Sequence, residues 1–102
     1  MHDFLNLTSA LSDETRVKIL RFIDSNGELC VCDIEKSFNM IQSRISRHLK
    51  ILKDAGFLNV ERRGRWAYYS IAPSLKGFQA AALKEIASLE IKLPKLQKGC
   101  RL

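Results

Sequence analysis

The sequence predicts a mainly α-helical chain with one small β-hairpin, arranged as a winged helix-turn-helix. Three observations predict it. Apolar residues recur at helical spacing through most of residues 3–55, the period changes to strand-like over residues 57–71, and basic charge gathers where the two patterns meet.

The elements follow in order. Residues 3–11 read as a short helix. Ser12 is the expected N-cap of the next, with Asp13 and Glu14 in its first turn. From Thr15 to Asp24, Val17, Ile19, Leu20, Phe22 and Ile23 leave little polar circumference, so this helix is expected at the centre until Asn26-Gly27 stops it. Residues 31–38 make a third helix with Ile34 and Phe38 on one face, and residues 42–55 a fourth with Ile45, Leu49 and Leu52 buried and Gly56 as its stop. Residues 57–62 and 65–71 read as strands joined at Arg63-Gly64, with Trp66, Tyr68, Tyr69 and Ile71 supplying β-favouring side chains. Pro73-Ser74 opens a last helix running to about Leu93, where Pro94 ends it. Its stripe of Leu75, Phe78, Ala82, Ile86, Leu89 and Leu93 needs a cover, and a second copy of the chain is a good candidate.

A length of 102 residues suits one domain over 1–102, with a basic tail over 94–102. No apolar run is long enough for a membrane span, and the N-terminus lacks the pattern of a secretory signal, so a cytoplasmic protein with no membrane partner is expected. The net charge of +6 is unevenly spread: residues 1–41 carry −3, residues 42–65 carry +5, and residues 92–102 carry +4. Such concentration points to a polyanion.

The fourth helix and the hairpin explain that concentration as a duplex-DNA reader. Gln42, Ser43, Arg44 and Ser46 lie at the helix N-terminal end, which enters a major groove first, and Arg47 continues the outward face. Gln and Arg suit bidentate base contacts, while Lys50 falls later, where phosphate lies. Arg62, Arg63 and Arg65 cluster at the hairpin tip, where phosphates or a narrow minor groove relieve their repulsion. His48 follows Ile45 by three and is expected on the inner side of its helix. His2 and His48 form no catalytic constellation, so no enzyme is expected.

Three cysteines, Cys30, Cys32 and Cys100, make a poor disulfide framework. Cys30-Val31-Cys32 opens the third helix, where backbone N–H dipoles favour thiolates, and thiolates prefer soft ions. On a regular helix, residues two apart point roughly 200° from each other. Closing both sulfurs on one ion is therefore expected to distort the turn that supports the reading helix.

Glu28-Leu29-Cys30-Val31-Cys32-Asp33 resembles the metal-binding box of the ArsR/SmtB family of metal-responsive repressors. Residues 42–49, with Leu52 and Ala55-Gly56, resemble that family's recognition helix; Leu11 to Arg16 resemble the start of its second helix, and Arg63-Gly64-Arg65-Trp66 with Tyr69 its wing. The likeness covers residues 5–75. It implies a homodimer joined through the first and last helices, an apo-protein that represses a resistance operon without any cofactor, and release of DNA on binding As(III) or Sb(III). Cys30 and Cys32 would be ligands, and Gln42, Ser43, Ser46, Arg47 and His48 would lie in the DNA-reading helix. Arsenic-responsive members often carry a third cysteine where this chain has Glu35. Cys100, from the same or the partner subunit, could replace it, as could a buffer thiol, and a methylated arsenical would need only two thiols. Cadmium, lead or cellular oxidants acting on the same thiols, or a winged-helix module that binds protein, remain alternatives.

Overall fold

The computed structural model describes residues 1–99. Its elements run α1 (His2–Ala10), α2 (Glu14–Asn26), β1 (Leu29–Cys30), α3 (Val31–Phe38), α4 (Gln42–Asp54), β2 (Leu58–Arg63), β3 (Trp66–Ile71) and α5 (Phe78–Ser88). The helix-turn-helix and its wing are therefore present as the sequence predicts.

Helix α2 is central: Ile19, Leu20, Phe22 and Ile23 are all buried. Its N-cap is Asp13 rather than Ser12. Asp13 holds the extended backbone a cap requires and its Oδ1 accepts the Arg16 N–H at 3.0 Å, while the Ser12 hydroxyl turns back to donate to the Ser9 carbonyl at 2.8 Å. Asn39, with φ 53°, ends α3 in the left-handed conformation and turns the chain into α4. Ile45, Leu49 and Leu52 bury the inner face of α4, and Phe22 meets Phe38 edge-on with ring centroids 5.1 Å apart.

The sheet has three strands in the order β1-β3-β2, both pairs antiparallel. The hairpin β2–β3 was expected. The two-residue β1 was not, being too short to carry a period, and it pairs Leu29 with Tyr69 and Cys30 with Tyr68.

The last helix is shorter at both ends than the sequence predicts. It begins at Phe78 because Gly77 takes φ 62°, and it stops at Ser88 because Leu89 is extended. Arg21 seals that end, its Nη1 donating to the carbonyls of Ile86 at 2.8 Å and Leu89 at 3.0 Å. Residues 89–99 have no regular structure and run as a strap whose Ile91, Leu93 and Leu96 pack against the core. Of the apolar residues that prolonged the predicted helix, Leu93 is thus partly buried by a different backbone, while Leu89 is 43% exposed. Outside, α1 and α5 leave Phe4 and Phe78 exposed, their rings 5.6 Å apart.

Candidate nucleic-acid interface and thiol site

Helix α4 projects Gln42, Ser43, Arg44, Arg47 and Lys50 into solvent, and Ser46 is half-buried. Its N-cap, Ile41, is 71% exposed, which leaves an apolar side chain on the surface at the N-terminal end of the helix. Ile41 carries no signal in the sequence because it lies just before the helix, outside its apolar stripe. Lys50 is held along the helix by Asp54, Nζ to Oδ2 2.7 Å, and that hydrogen bond raises the lysine pKa and lowers the aspartate's.

His48 is the buried member of the predicted reading set. Arg16 Nη1 lies 3.3 Å from its Nδ1, and since arginine only donates, Nδ1 must accept and the ring proton sits on Nε2. Burial lowers the His48 pKa, and the cations of Arg16, Arg44 and Arg47 act in the same direction against Asp13. Arg16 also donates to the carbonyls of Ala10 at 2.9 Å and Ser9 at 3.2 Å. Through Arg16, His48 thereby ties α4 to the α1–α2 junction, and it is buried rather than on the exposed face of Gln42, Arg44 and Arg47.

At the wing, Arg62 and Arg65 are exposed. Arg63 differs from them. Its Nη2 lies 2.9 Å from both Glu28 carboxylate oxygens and 2.8 Å from Glu61 Oε1, and its guanidinium stacks 4.6 Å above the Tyr68 ring. Of the three positive charges expected to crowd at the tip, that of Arg63 is therefore matched from within, by Glu28 and Glu61.

Cys30 and Cys32 are both buried, and their Sγ atoms lie 2.8 Å apart. The opposed arrangement expected of two residues on one regular helix is absent. Cys30 is the N-cap, with φ −69° and ψ 147°, so its side chain leaves an extended backbone and turns back over the first turn of α3 toward Cys32. The two sulfurs converge without any unwinding. Asp33, 1% exposed, completes a capping box: its Oδ2 accepts the Cys30 N–H at 3.1 Å. Its other oxygen, Oδ1, accepts the N–H of Gly99 at 2.8 Å, tying the strap to the box. Glu35 is half-buried beside a pocket lined by Cys32, Lys36, Met40 and Gly99, and burial raises its pKa. Cys100 lies outside the described residues. Among the described residues, no group of three or more His, Cys, Asp or Glu side chains converges on a metal position, so the sulfur pair stands as the candidate soft-ion site.

The pair adjoins both the hairpin and α4. Cys30 belongs to β1, which pairs with the wing strand β3, and Glu28 just before it holds Arg63. On the other side α3 packs directly on α4. No helix among the described residues is long and apolar enough to cross a membrane.

Comparison with known proteins agrees with this geometry. Residues 13–60 match the model of the "Bacterial regulatory protein, arsR family". The chain is 36% identical over 81 residues to the arsenical resistance operon repressor of Escherichia coli K12, an alignment spanning 79% of this chain and 69% of that protein. It is 40% identical to the arsenic resistance transcriptional regulator ArsR1 of Pseudomonas putida over 74% of this chain, and spans 59% of that relative's length. Its fold superposes with TM-score 0.70, at 26% identity, on the homodimeric winged helix-turn-helix DNA-binding domain of a possible ArsR-family transcriptional regulator from Mycobacterium bovis, covering 83% of this chain and 75% of that one. With a reading helix, a wing and a buried thiol pair between them, the chain belongs to the arsR family of bacterial regulatory proteins, and is a winged-helix transcriptional regulator rather than an enzyme.

Proposed function

We propose that this protein is a homodimeric repressor that occupies operator DNA unaided and releases it when As(III) or Sb(III) binds the thiolates of Cys30 and Cys32. The observation that carries the reading is the 2.8 Å convergence of two buried sulfurs at a strand–helix junction that contacts the wing and the reading helix together. The arsenical resistance regulators among its relatives favour a trivalent metalloid as the ion. On DNA, Gln42, Ser43, Arg44, Ser46 and Arg47 read the major groove, with Ile41 offering an apolar contact to a thymine methyl. Lys50, Arg62 and Arg65 neutralise phosphate, while His48 and Arg63 hold the helix and wing in place. The exposed aromatic pair Phe4 and Phe78 lies on the face that joins two copies.

Binding exchanges bonds at arsenic. Each thiol replaces one hydroxide of arsenous acid, and the thiol proton leaves with that hydroxide as water. A bound centre would hold the two sulfurs at the spacing its own bonds set rather than at 2.8 Å, and that displacement of Cys30 would shift β1 against β3 and α3 against α4. A coupling of about 1–3 kcal/mol, typical of such linkage, lowers DNA affinity roughly 5- to 150-fold.

The test is a titration of the protein, on duplex DNA from upstream of its own gene, with arsenite, antimonite, cadmium, lead and peroxide. Release by arsenite and antimonite at micromolar levels supports the reading. Release by peroxide or cadmium alone assigns the same thiols to a different signal and overturns the metalloid.

A further inference from the structure

We infer that the strap over residues 89–99 is a third DNA-contacting element, and that its Lys92, Lys95 and Lys98 neutralise phosphates of the duplex beside the reading helix. The inference rests on the repressor reading above and adds a surface to which that reading gives no role.

The strap has two faces. Ile91, Leu93 and Leu96 pack on the core, while Lys92, Lys95 and Lys98 are exposed. These lysines supply three of the four positive charges that the sequence gathers in residues 92–102, a stretch without Asp or Glu. None of them forms an ion pair with a described carboxylate, and neither does the exposed Lys36 on the adjoining α3. Lys50, by contrast, is matched by Asp54, and Arg63 by Glu28 and Glu61.

Its course follows the helix-turn-helix. Lys92, Leu93 and Pro94 line one groove with Phe38 and Met40, and Gly99 lines the next with Lys36 and Met40. The strap therefore runs along α3 and the turn into α4, and Met40 directly precedes Ile41, the N-cap of the reading helix. In a helix-turn-helix the reading helix enters the groove while the helix before it crosses the sugar–phosphate backbone. A strap laid on that first helix carries its lysines beside the path of the phosphates.

The strap is also held in place. The Gln97 N–H donates to Ser37 Oγ at 2.8 Å, and the Ser37 hydroxyl donates back to the Gln97 carbonyl at 3.3 Å. The Gly99 N–H donates to Asp33 Oδ1 at 2.8 Å. A β-carbon on Gly99 would come within 2.5 Å of the Cys32 carbonyl carbon, so this seat requires glycine. A segment fixed at these points has already lost the backbone entropy that a free basic tail loses only on binding. Successive lysines along it are at most about 11 Å apart. One DNA strand carries a charge about every 3.4 Å of helix axis, so each lysine has a phosphate within reach.

The test compares wild type with Lys92→Gln/Lys95→Gln/Lys98→Gln on duplex DNA from upstream of the gene and on a random duplex. It combines a salt series with phosphate-ethylation interference. The slope of log affinity against log salt is expected to fall by roughly 1 for each lysine that meets a phosphate. Affinity should fall by a similar factor on both duplexes, because phosphate carries no sequence. A set of phosphates whose ethylation blocks the wild type should no longer hinder the triple variant. The phosphates whose interference Arg62→Ala removes should hinder it still. An unchanged thermal midpoint verifies folding, and Lys92→Gln and Lys98→Gln alone carry the same test if the triple variant melts early. An unchanged slope overturns the inference. So does a lower slope with every interfering phosphate retained, which would reduce the lysines to a long-range charge. Both outcomes leave the reading helix and wing as the DNA surface. Wild-type protein that binds neither duplex sinks the repressor reading itself.

Discussion

Cys30 and Tyr68 are partners across the antiparallel pair β1–β3, so the first thiol of the box is also a rung of the wing's sheet. The same tyrosine ring lies under Arg63, whose guanidinium is gripped by Glu28 two residues before Cys30. A ligand that moves Cys30 therefore acts on the wing through the ladder and through this ion pair, without any long relay. On its other side the box begins α3, which packs against the reading helix.

Cys30→Ser and Cys32→Ser separate sensing from DNA binding. Each is expected to hold operator DNA within about threefold of wild type, since a hydroxyl replaces the thiol nearly isosterically and a cost of about 0.5–1.5 kcal/mol falls on stability. Each should stay bound at arsenite levels that release the wild type. Electrophoretic mobility shifts with and without arsenite measure both quantities. A variant that loses DNA binding outright would mark the thiols as structural.

The wing arginines should behave differently from one another. Arg62→Ala is expected to weaken binding to any duplex and to lower the slope of log affinity against log salt by about 1, as the loss of one phosphate contact requires. Arg63→Ala should leave that slope nearly intact, because Glu28 and Glu61 already engage the charge, and should instead loosen the wing. Salt titrations of the two variants distinguish them. On the reading helix, Arg47→Ala should cost about 1–3 kcal/mol on specific DNA and much less on random sequence.

His48 makes stability depend on pH. Burial lowers its pKa below the unfolded value of about 6.5, so between those two values the unfolded chain binds more protons than the folded one. Its contribution is complete above pH 6.5 and is lost as the pH falls toward the lowered value. Urea midpoints measured from pH 7.5 down to 5 should fall more steeply for wild type than for His48→Gln. Parallel curves would show that the folded and unfolded histidines titrate alike.

Phe4 and Phe78 form an exposed aromatic pair on the first and last helices. Phe78→Glu is expected to shift the protein from dimer to monomer in sedimentation velocity and to weaken operator binding at least tenfold, since two half-sites no longer act together. A variant that sediments like the wild type would move the subunit contact elsewhere.

The helical part was legible because burial in α2 and α4 follows a strict period, as Ile45, Leu49 and Leu52 show. The inward position of His48 could be read from its spacing after Ile45 in the same way. What local pattern could not supply were the long-range choices. Glu28 and Arg63 are 35 positions apart, and nothing local announces their pairing. Residues 89–93 of the strap read as helix in the sequence because Leu93 continues the apolar stripe of α5; extended backbone packs it against the core once Leu89 breaks the helix. The thiol geometry failed on one assumption, that Cys30 lies inside the helix. As an extended N-cap it brings its sulfur over the first turn, and the pair converges.

The most direct measurement is the fluorescence anisotropy of a labelled duplex from upstream of the gene, held by a fixed amount of protein while arsenite is added in a thiol-free reductant. Anisotropy should fall to that of free DNA as arsenic reaches one per thiol pair, and Cys30→Ser/Cys32→Ser should show no fall. Anisotropy that stays at its bound value in the wild type, with arsenic uptake verified by elemental analysis, would contradict a switch operated by these two sulfurs.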